Sequence, residues 1–284
     1  MAAITVVIAT RDRRDRLLAN LARHEAPVIV VDNGSTDGTA DAVRDAFPGV
    51  QVIRLQRNAG AAARTIGARL AESEFVAFAD DDSYWAPGSL ARAAAHLDRC
   101  RSLGLLCARV LVGEDNRLDP VSAFMERAPL GCRADLPGPS ILGFLACAVA
   151  VRRAAFLGTG GFLERLGMYG EEELLALELA AQGWDLAHAR DLTVHHHPAT
   201  GRPGGRREAI QVRNALLTAV LRRSVQTAVQ RFGSATATSA GRRGLAMATA
   251  ALPWALSRRR CLPPAVERAA RIVEHEWARY GRHG

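Results

Sequence analysis

The sequence predicts an α/β protein: a mostly parallel central sheet flanked by helices, followed by a C-terminal helical extension. Over the first hundred residues, apolar, β-branched runs alternate with segments of helical spacing, the pattern of a parallel sheet with helices on both faces. A Gly/Pro/Arg stretch at 201–205 separates this pattern from residues that show only helical spacing. The 284 residues are near the size at which one core stops growing. We therefore expect one main domain over 1–205 and a basic helical extension over 206–284.

Four strands are predicted in the first part of the chain, each a short apolar run bounded by polar residues. They cover residues 4–10, 28–32, 50–56 and 74–80. Helical spacing lies between and after them, at residues 13–24, 35–47, 60–72 and 87–100. Ser35, Thr36 and Asp37 favour a helix start because their side chains accept hydrogen bonds from free N–H groups. Pro87 suits a first helical turn.

The later elements are less regular. Strands are predicted at 103–113, 141–153 and 191–197, and a helix at 171–184 that Gly183 ends. Residues 114–140 hold several Pro, Gly and Asp residues and predict a long loop. Three helices are expected in the extension, near 207–232, 242–257 and 264–280.

Composition narrows the functional class. The net charge is +8 and no lysine occurs, so every basic residue is arginine; codon bias explains this, and so does an anionic partner such as a membrane surface or phosphate groups. Aromatic residues make up only 5% and no recognition-helix motif occurs, which argues against nucleic acid. Five scattered cysteines without a CxxC pair favour a reducing cytoplasm. The N-terminus lacks a secretory pattern, and the apolar runs 141–151 and 245–256 are too short to span a bilayer.

Polar residues follow each of the first four predicted strands. Parallel strands end at the same edge of a sheet, where ligands of open α/β sheets bind. These ends are Thr10-Arg11-Asp12, Asp32-Asn33-Gly34, Arg57-Asn58-Ala59-Gly60 and Asp80-Asp81-Asp82. Four polar ends on one edge predict a binding site.

The three consecutive aspartates are the strongest single feature. Carboxylate oxygens suit Mg²⁺ or Mn²⁺, which bind substrate phosphates. In an extended chain, alternate side chains share a side, so Asp80 and Asp82 are expected to point together with Asp81 turned away. The alternative is an acidic turn that caps the helix after Pro87.

The order of these motifs resembles the inverting glycosyltransferases of family 2, which have the GT-A fold. The matching segments are VVIATRDR, VVDNGSTDGT, RNAGAAARTIGA, FADDD and GGFLERLGMYGEEELLALELAAQGW. The resemblance covers about residues 3–200 and leaves the extension outside. It implies a nucleotide-binding half over about 1–113 and an acceptor half over about 114–205. It also implies a UDP- or dTDP-sugar donor, Mg²⁺ or Mn²⁺ as cofactor, and an acceptor hydroxyl on a saccharide, a lipid-linked saccharide or a small molecule.

The resemblance implies roles for residues at the sheet edge. Thr10 and Arg11 are expected to line the nucleobase pocket, with Asp32 bonded to the base or ribose. Asn58 and Gly60 open the helix that carries Arg64, which is expected near the base or phosphates. Asp80 is expected at the ribose. Asp81 belongs to the same nucleotide-binding set, and Asp82 is expected to hold the metal.

The resemblance also places a catalytic acid pair at Glu171 and Glu172. Glu172 is the candidate general base that takes the proton of the acceptor hydroxyl. Three glutamates at a helix start are also favoured by the helix dipole alone. Two leucines depart from the family pattern, since Leu174 and Leu163 stand where the family usually has Asp. Glu173 could take over part of the lost role.

The run of His195, His196 and His197 follows a strand-like segment. The resemblance implies one metal-binding or diphosphate-binding histidine here. Because alternation puts His195 and His197 on one side, these two are predicted, with His195 first. A zinc hydrolase lacks support because no HExxH spacing occurs.

Other functions remain alternatives at this point. A sugar nucleotidyltransferase usually carries a glycine-rich loop after the first strand, which ATRDRRDR lacks. A non-catalytic nucleotide-sugar-binding protein would fit Leu174 but not the acid pair. For the extension, clustered arginines flanking an apolar stretch with Trp254 suit peripheral contact with an anionic membrane. A helical cap on the main domain and a homodimer interface are the alternatives.

Overall fold

A computed structural model describes residues 3–198 and 204–281 of the chain. Its centre is one sheet whose main strand order is β3-β2-β1-β4-β8-β6-β9-β5, with β7 paired to β6. The first four strands are β1 Ile4–Thr10, β2 Val28–Asp32, β3 Gln51–Arg54 and β4 Phe75–Ala79. Their helices are α1 Arg14–Leu21, α2 Thr39–Ala46 and α3 Ala62–Leu70. All pairings among these strands are parallel, so their carboxyl ends share one edge, as predicted.

The start of α2 differs from the prediction by four residues. The capping residues instead build the turn before the helix: the Ser35 N–H donates to Asp32 Oδ1 (2.9 Å), and the Thr39 N–H donates to Asp37 Oδ1 (3.0 Å). Asp32 is thereby fixed at the end of β2 by its own loop.

The part of the main domain after β4 contains four elements that the sequence analysis missed: β5, β7, α5 and α6. Its elements are β5 Ser83–Trp85, α4 Ser89–Arg99, β6 Leu103–Val112, β7 Arg117–Leu118, α5 Pro120–Glu126, β8 Val149–Arg152, α6 Arg153–Gly158, α7 Glu171–Ala181 and β9 Asp185–His196. The predicted loop 114–140 holds β7 and α5, and Asp119 caps α5 by accepting from the Val121 N–H (2.7 Å). The predicted strand 141–153 is shortened to β8, because the Ala148 N–H donates to the Leu145 carbonyl (2.9 Å) in a 3₁₀ turn.

The strand β9 is longer than predicted because its polar residues hid the strand pattern. It pairs in parallel with β6 and antiparallel with β5. β8 runs antiparallel between β4 and β6. The result is a mostly parallel, mixed sheet between helical layers, which confirms the predicted fold class.

Over the residues described, the extension consists of helices joined by short connections and has no strand. Its helices are α8 Gly204–Arg222, α9 Val225–Ala235, α10 Ser239–Thr249, α11 Leu252–Ser257 and α12 Pro264–Tyr280. The predicted helix 207–232 is two helices because Ser224 caps α9, accepting from the Thr227 N–H (3.1 Å). The predicted helix 242–257 is likewise split at Ala250 and Ala251. Most of the predicted hinge at 201–205 lies outside the described residues.

The extension shares an apolar core with the sheet domain. Leu166 and Leu174 of the sheet domain are buried in one cluster with Leu216, Leu217 and Leu221 of α8. A cap packed on the main domain is therefore what the structure shows. No helix within the described residues is long and apolar enough to cross a membrane.

Candidate active site

A cavity of about 460 Å³ opens at the carboxyl ends of β1 and β4 and beside the first turn of α7. It contains six of the predicted site residues and further residues from the loop before α7 and from α8. The lining includes Arg64, Asp80, Asp81, Asp82, Glu171, Glu172, Met168, Tyr169, His196 and Arg207. The sheet edge predicted from four polar strand ends therefore faces a real cavity.

Asp80 and Asp82 point to one side and Asp81 to another, as the alternation of side chains in an extended chain predicts. Candidate ligand atoms of Asp80, Asp82 and His196 all lie within 4.8 Å of one another. Asp81 turns away, and its Oδ2 accepts a hydrogen bond from the Thr10 hydroxyl (3.1 Å). Burial and repulsion from Asp82 and Asp80 raise the pKa of Asp81 to about 7. Asp80 is ion-paired with Arg64, which is itself 2% exposed.

The histidine prediction is corrected by the strand pairing. His195 and His197 do share a side, but both stack on Tyr84, with ring centroids 5.0 and 6.0 Å apart. His195 Nδ1 lies 2.8 Å from Asn116 Oδ1, and His197 Nδ1 lies 3.4 Å from Glu114 Oε1. It is His196 whose Nε2 lies 3.3 Å from Asp82 Oδ1. Burial lowers the pKa of His196, but the hydrogen bond to Asp82 and the charges of Asp82, Asp80 and Asp119 together outweigh it, and the net shift is upward.

The residues predicted for the nucleoside lie beside the cavity rather than in its lining. Thr10 and Asp32 are neighbours in the β1–β2 register and are 2% and 0% exposed. Asp32 Oδ2 is buried without a hydrogen-bond partner among the described residues, and Arg54 Nε lies 4.0 Å away. An unpartnered buried carboxylate oxygen at this edge suits an N–H or O–H donor of a ligand. Arg11 is exposed, with its Nε 3.5 Å from Asp12 Oδ2.

Asn58 and Gly60 shape the start of α3. The Gly60 N–H donates to Asn58 Oδ1 (2.8 Å). Gly60 has φ +61°, and a Cβ there would lie 2.8 Å from the backbone of Gly167, so only glycine fits this approach. Asn33, which the sequence analysis did not single out, bridges the same turn through the Gly60 carbonyl and the Ala59 N–H, both at 3.0 Å. These contacts hold α3, and with it Arg64, against the cavity.

The three glutamates that begin α7 face two different environments. Glu171 and Glu172 line the cavity with Arg64, and burial raises the pKa of both carboxyl groups. The Gly170 N–H donates to Glu172 Oε2 (3.1 Å), while Glu171 Oε2 is buried without a hydrogen-bond partner among the described residues. Glu173 points instead to the extension, where Arg231 donates two hydrogen bonds to it, at 2.7 and 3.1 Å. Glu173 therefore does not stand in for an acid at the cavity.

The two leucines that depart from the family pattern have a packing explanation. Leu174 is 4% exposed in the apolar cluster shared with α8, and Leu163 packs against the same cluster. An aspartate at Leu174 would bury a charge against this apolar surface at a large cost. The loss of the acid is therefore coupled to the docking of the extension.

The extension also holds the loop that leads into Glu171. Asn214 of α8 is fully buried, and its Nδ2 donates to the carbonyls of Leu166 (2.9 Å) and Tyr169 (2.8 Å). Tyr169 has φ +72°, a strained value for a residue with a side chain. Arg207 lies over the Tyr169 ring at 5.0 Å and lines the cavity. Sequence reasoning missed these residues because nothing in a helical pattern shows which loop its polar side chains meet.

The aspartates at the sheet edge share one cavity with Glu171 and Glu172, as the resemblance to the family 2 glycosyltransferases implies. The comparison with family models agrees: residues 5–157 match Glycosyl transferase family 2. The chain belongs to this family and is a glycosyltransferase.

The chain is also similar in sequence to two named glycosyltransferases. An N-acetylglucosaminyl-diphospho-decaprenol L-rhamnosyltransferase of Mycobacterium tuberculosis is 30% identical over 241 residues, covering 70% of this chain and 77% of the relative. The poly(ribitol-phosphate) beta-N-acetylglucosaminyltransferase TarS of Staphylococcus aureus is 37% identical over 123 residues, 40% of this chain and 21% of TarS.

Two solved structures share the fold. A crystal structure of TarS residues 1–349 has a TM-score of 0.59 at 18% identity, covering 86% of this chain and 71% of that one. A mannosyltransferase from Pyrobaculum calidifontis, solved with GDP-Man and Mn²⁺, has a TM-score of 0.57 at 19% identity, covering 99% of this chain and 76% of that one.

Proposed function

We propose that this protein is a metal-dependent, inverting glycosyltransferase that moves a sugar from a UDP- or dTDP-sugar to an acceptor hydroxyl. The observation that carries the proposal is the single cavity that contains Asp80, Asp82 and His196 together with Glu171 and Glu172. One side of this cavity suits a metal-bound diphosphate. The other side suits a general base.

The donor assignment rests on the sheet edge. Asp32, with its unpartnered oxygen, is a suitable acceptor for the imide N–H of uracil or thymine, and Thr10 and Arg11 lie at the neighbouring strand end. Asn58 and Gly60 shape the backbone beside it, and Arg64, Asp80 and Asp81 continue toward the ribose and phosphates. TarS has been solved in complex with UDP and with UDP-GlcNAc, which supports a uridine or similar nucleotide here.

The residues present fit a divalent cation. Two carboxylates and one imidazole with ligand atoms within 4.8 Å form a donor set suited to Mn²⁺, and less ideally to Mg²⁺. Asp82 and His196 would hold the ion, with Asp80 beside them; His196 takes the place predicted for His195 or His197. When bound, the ion supplies positive charge next to the leaving diphosphate.

Glu172 is the proposed base. Burial raises the pKa of its carboxyl group, which makes the carboxylate a stronger proton acceptor than an exposed one. The acceptor oxygen would lose its proton to Glu172 while it bonds to the sugar C1 from the face opposite the diphosphate. Inversion at C1 follows from that geometry. Leu174, which had suggested a non-catalytic protein, is explained by packing, so no observation favours that alternative.

The proposed location is the cytoplasm. All five cysteines are free thiols in the structure, in keeping with a reducing compartment. Among the clustered arginines that suggested membrane contact, Arg222 and Arg260 pair with Glu178 and Arg223 pairs with Glu267, while Arg242 and Arg259 donate to backbone carbonyls. A membrane role for the extension is therefore not proposed.

A thermal-shift panel tests the donor and metal assignments together. UDP, dTDP and GDP are each titrated with and without Mn²⁺, and UDP or dTDP is expected to stabilise the protein only with the metal. A ligand at one hundred times its Kd adds about 2.7 kcal/mol to the free energy of unfolding, which such a panel resolves. Asp82→Asn should remove the metal-dependent part, whereas the exposed Asp98→Asn should keep it. If Asp82→Asn still binds nucleotide and metal like the parent, the metal assignment is wrong.

A further inference from the structure

A second cavity, of about 350 Å³, also has Glu172 in its lining. Its walls come from α5, the segment at 141–144, α7 and the last helix of the extension, α12. Among the residues that line the two cavities, only Glu172 belongs to both. A general base must touch the acceptor hydroxyl on one side and face the sugar C1 on the other. A cavity that shares Glu172 with the donor cavity meets the first of these requirements.

The walls of this acceptor-side cavity are mainly apolar. Phe124 of α5 and Trp277 of α12 meet edge to face, with ring centroids 5.0 Å apart. Trp277 is 42% exposed, so its ring is also available to a ligand. The other apolar lining residues include Met125, Ile141, Phe144, Leu177 and Val273. A cavity of this size and lining suits a compact ring system rather than a chain of hydroxylated sugars.

The charges in the lining argue against an anionic group beside the reacting hydroxyl. The lining holds three carboxylates, on Glu172, Glu173 and Glu274, and two guanidinium groups, on Arg223 and Arg231. Both arginines are already paired: Arg223 Nε with Glu267 (2.8 Å) and Arg231 Nη2 with Glu173 (2.7 Å), and both bond to Glu274. A diphosphate or carboxylate placed here would meet an acidic surface whose cations are satisfied.

We propose that this cavity binds the acceptor, and that the reacting hydroxyl is carried by an uncharged, hydroxylated aromatic or alicyclic ring. The proposal rests on the proposed function above. In the transfer, the ring hydroxyl gives its proton to Glu172, its oxygen bonds to the sugar C1, and the C1–O bond to the diphosphate breaks. The electron pair of that bond leaves with the nucleoside diphosphate. The extension thus forms one wall of the acceptor site.

The test compares two matched probes that differ in charge. Binding of 2-naphthol and of 2-naphthoate to the full-length protein is measured by saturation-transfer NMR and calorimetry. 2-Naphthol is expected to bind at least about tenfold more tightly, a difference of about 1.4 kcal/mol. Equal binding, tighter binding of 2-naphthoate, or no binding of 2-naphthol would overturn the proposal.

Two neighbouring positions on α12 supply the matched variants. Val273 lines the cavity, whereas Ile272 is 46% exposed and does not. Val273→Trp should weaken 2-naphthol binding by at least about tenfold, equal to about 1.4 kcal/mol, and Ile272→Trp should not change it. Trp277→Ala, at an exposed position, is a second variant expected to weaken binding without a folding defect, which circular dichroism checks. If 2-naphthol binds all three variants like the parent, the cavity is not its site.

The outcomes separate this proposal from the proposed function. UDP or dTDP binding with Mn²⁺ is measured on the parent protein and does not involve the acceptor-side cavity. If nucleotide binding fails while 2-naphthol binds as expected, the donor assignment is wrong and the cavity stands as a ring-binding site. If a polyprenyl-diphospho-sugar is the accepted substrate and Val273→Trp turns it over normally, the acceptor assignment is overturned.

Discussion

The donor cavity and the helical extension both contain buried or partly buried carboxylates, and the pKa values of these groups shift in opposite directions. Beside the donor cavity, burial raises the pKa of Glu171 and Glu172. In the extension, bonds to arginine and Thr227 outweigh burial; they lower the pKa of Glu267 to about 2 and that of Glu274 below its usual range. In the extension, the carboxylates of Glu267 and Glu274 are ion-paired with Arg223. Beside the donor cavity, Glu171 Oε2 has no hydrogen-bond partner among the described residues, which is the condition expected of a group that binds a ligand or moves a proton.

The boundary between these two environments lies within the first turn of α7. Glu172 and Glu173 are adjacent in the sequence, yet the first lines the donor cavity and the second is held by Arg231 and Arg223. The extension therefore anchors the same turn of α7 that carries the proposed base. The charge network of the extension therefore supports the turn of α7 that lines the donor cavity.

Glu172→Gln should give the largest effect, and the effect should be on chemistry alone. Removing a general base typically lowers turnover by about 10²- to 10⁴-fold, while UDP and Mn²⁺ binding should persist. Transfer or donor hydrolysis is measured alongside nucleotide binding. Glu171→Gln is the matched control and should reduce turnover less. The reverse ranking would move the base to Glu171.

Arg223→Met should give the next largest effect, and the effect should be on stability. Arg223 is 1% exposed and bonds to Glu267 and Glu274. Removing Arg223 leaves partly buried carboxylates without this partner, which costs about 1–3 kcal/mol.

Urea unfolding of Arg223→Met and of a matched surface variant checks this prediction. Arg44 pairs with Asp41 at 2.9 Å, but the two side chains are 47% and 67% exposed. Exposed pairs contribute only about 0–1 kcal/mol, so Arg44→Met should be close to the parent. Equal losses in the two variants would show that the extension network has no special role in stability.

The features that the sequence predicted correctly depend on residues that are close together in the chain. β1 and β2 begin and end at the predicted residues, because an apolar run between polar ends defines a buried parallel strand. The approach of Asp80 to Asp82 follows from alternation alone. His196 did not follow, because alternation shows which histidines share a side but not which side faces the carboxylates. That choice is made by the pairing of β9 with β5, a contact between residues more than a hundred positions apart.

The extension was the least predictable region for the same reason. Its arginines suggested an anionic surface, but their partners are glutamates on α7 and α12 that no local pattern assigns to them. Leu174 looked like a defect in the site until its apolar neighbours on α8 were known. A departure from a family motif is therefore informative only when the surface that covers it is known.

The last expected effect concerns Glu171 and is confined to a range of pH. Glu171 faces Glu172, Asp80 and Arg64, and is 3% exposed. Because the pKa in the folded protein is raised above its ordinary value of 4.5, the folded state holds this proton more tightly than the unfolded chain. The contribution of Glu171 to stability is therefore complete below about pH 4.5 and declines as pH rises above it. Glu171→Gln cannot ionise, so it should match the parent near pH 4.5 and become the more stable protein toward pH 8. Melting temperatures of metal-free protein across this range measure the difference.

Glu267→Gln is the opposite case, because the pKa of Glu267 is lowered to about 2 in the folded protein. Glu267 therefore contributes stability above about pH 4.5 that is lost as pH falls toward 2. This variant should be less stable than the parent at neutral pH. A loss of stability in Glu171→Gln that grows with pH would show that the carboxylate is satisfied in the free enzyme, and the contrast between cavity and extension would fail.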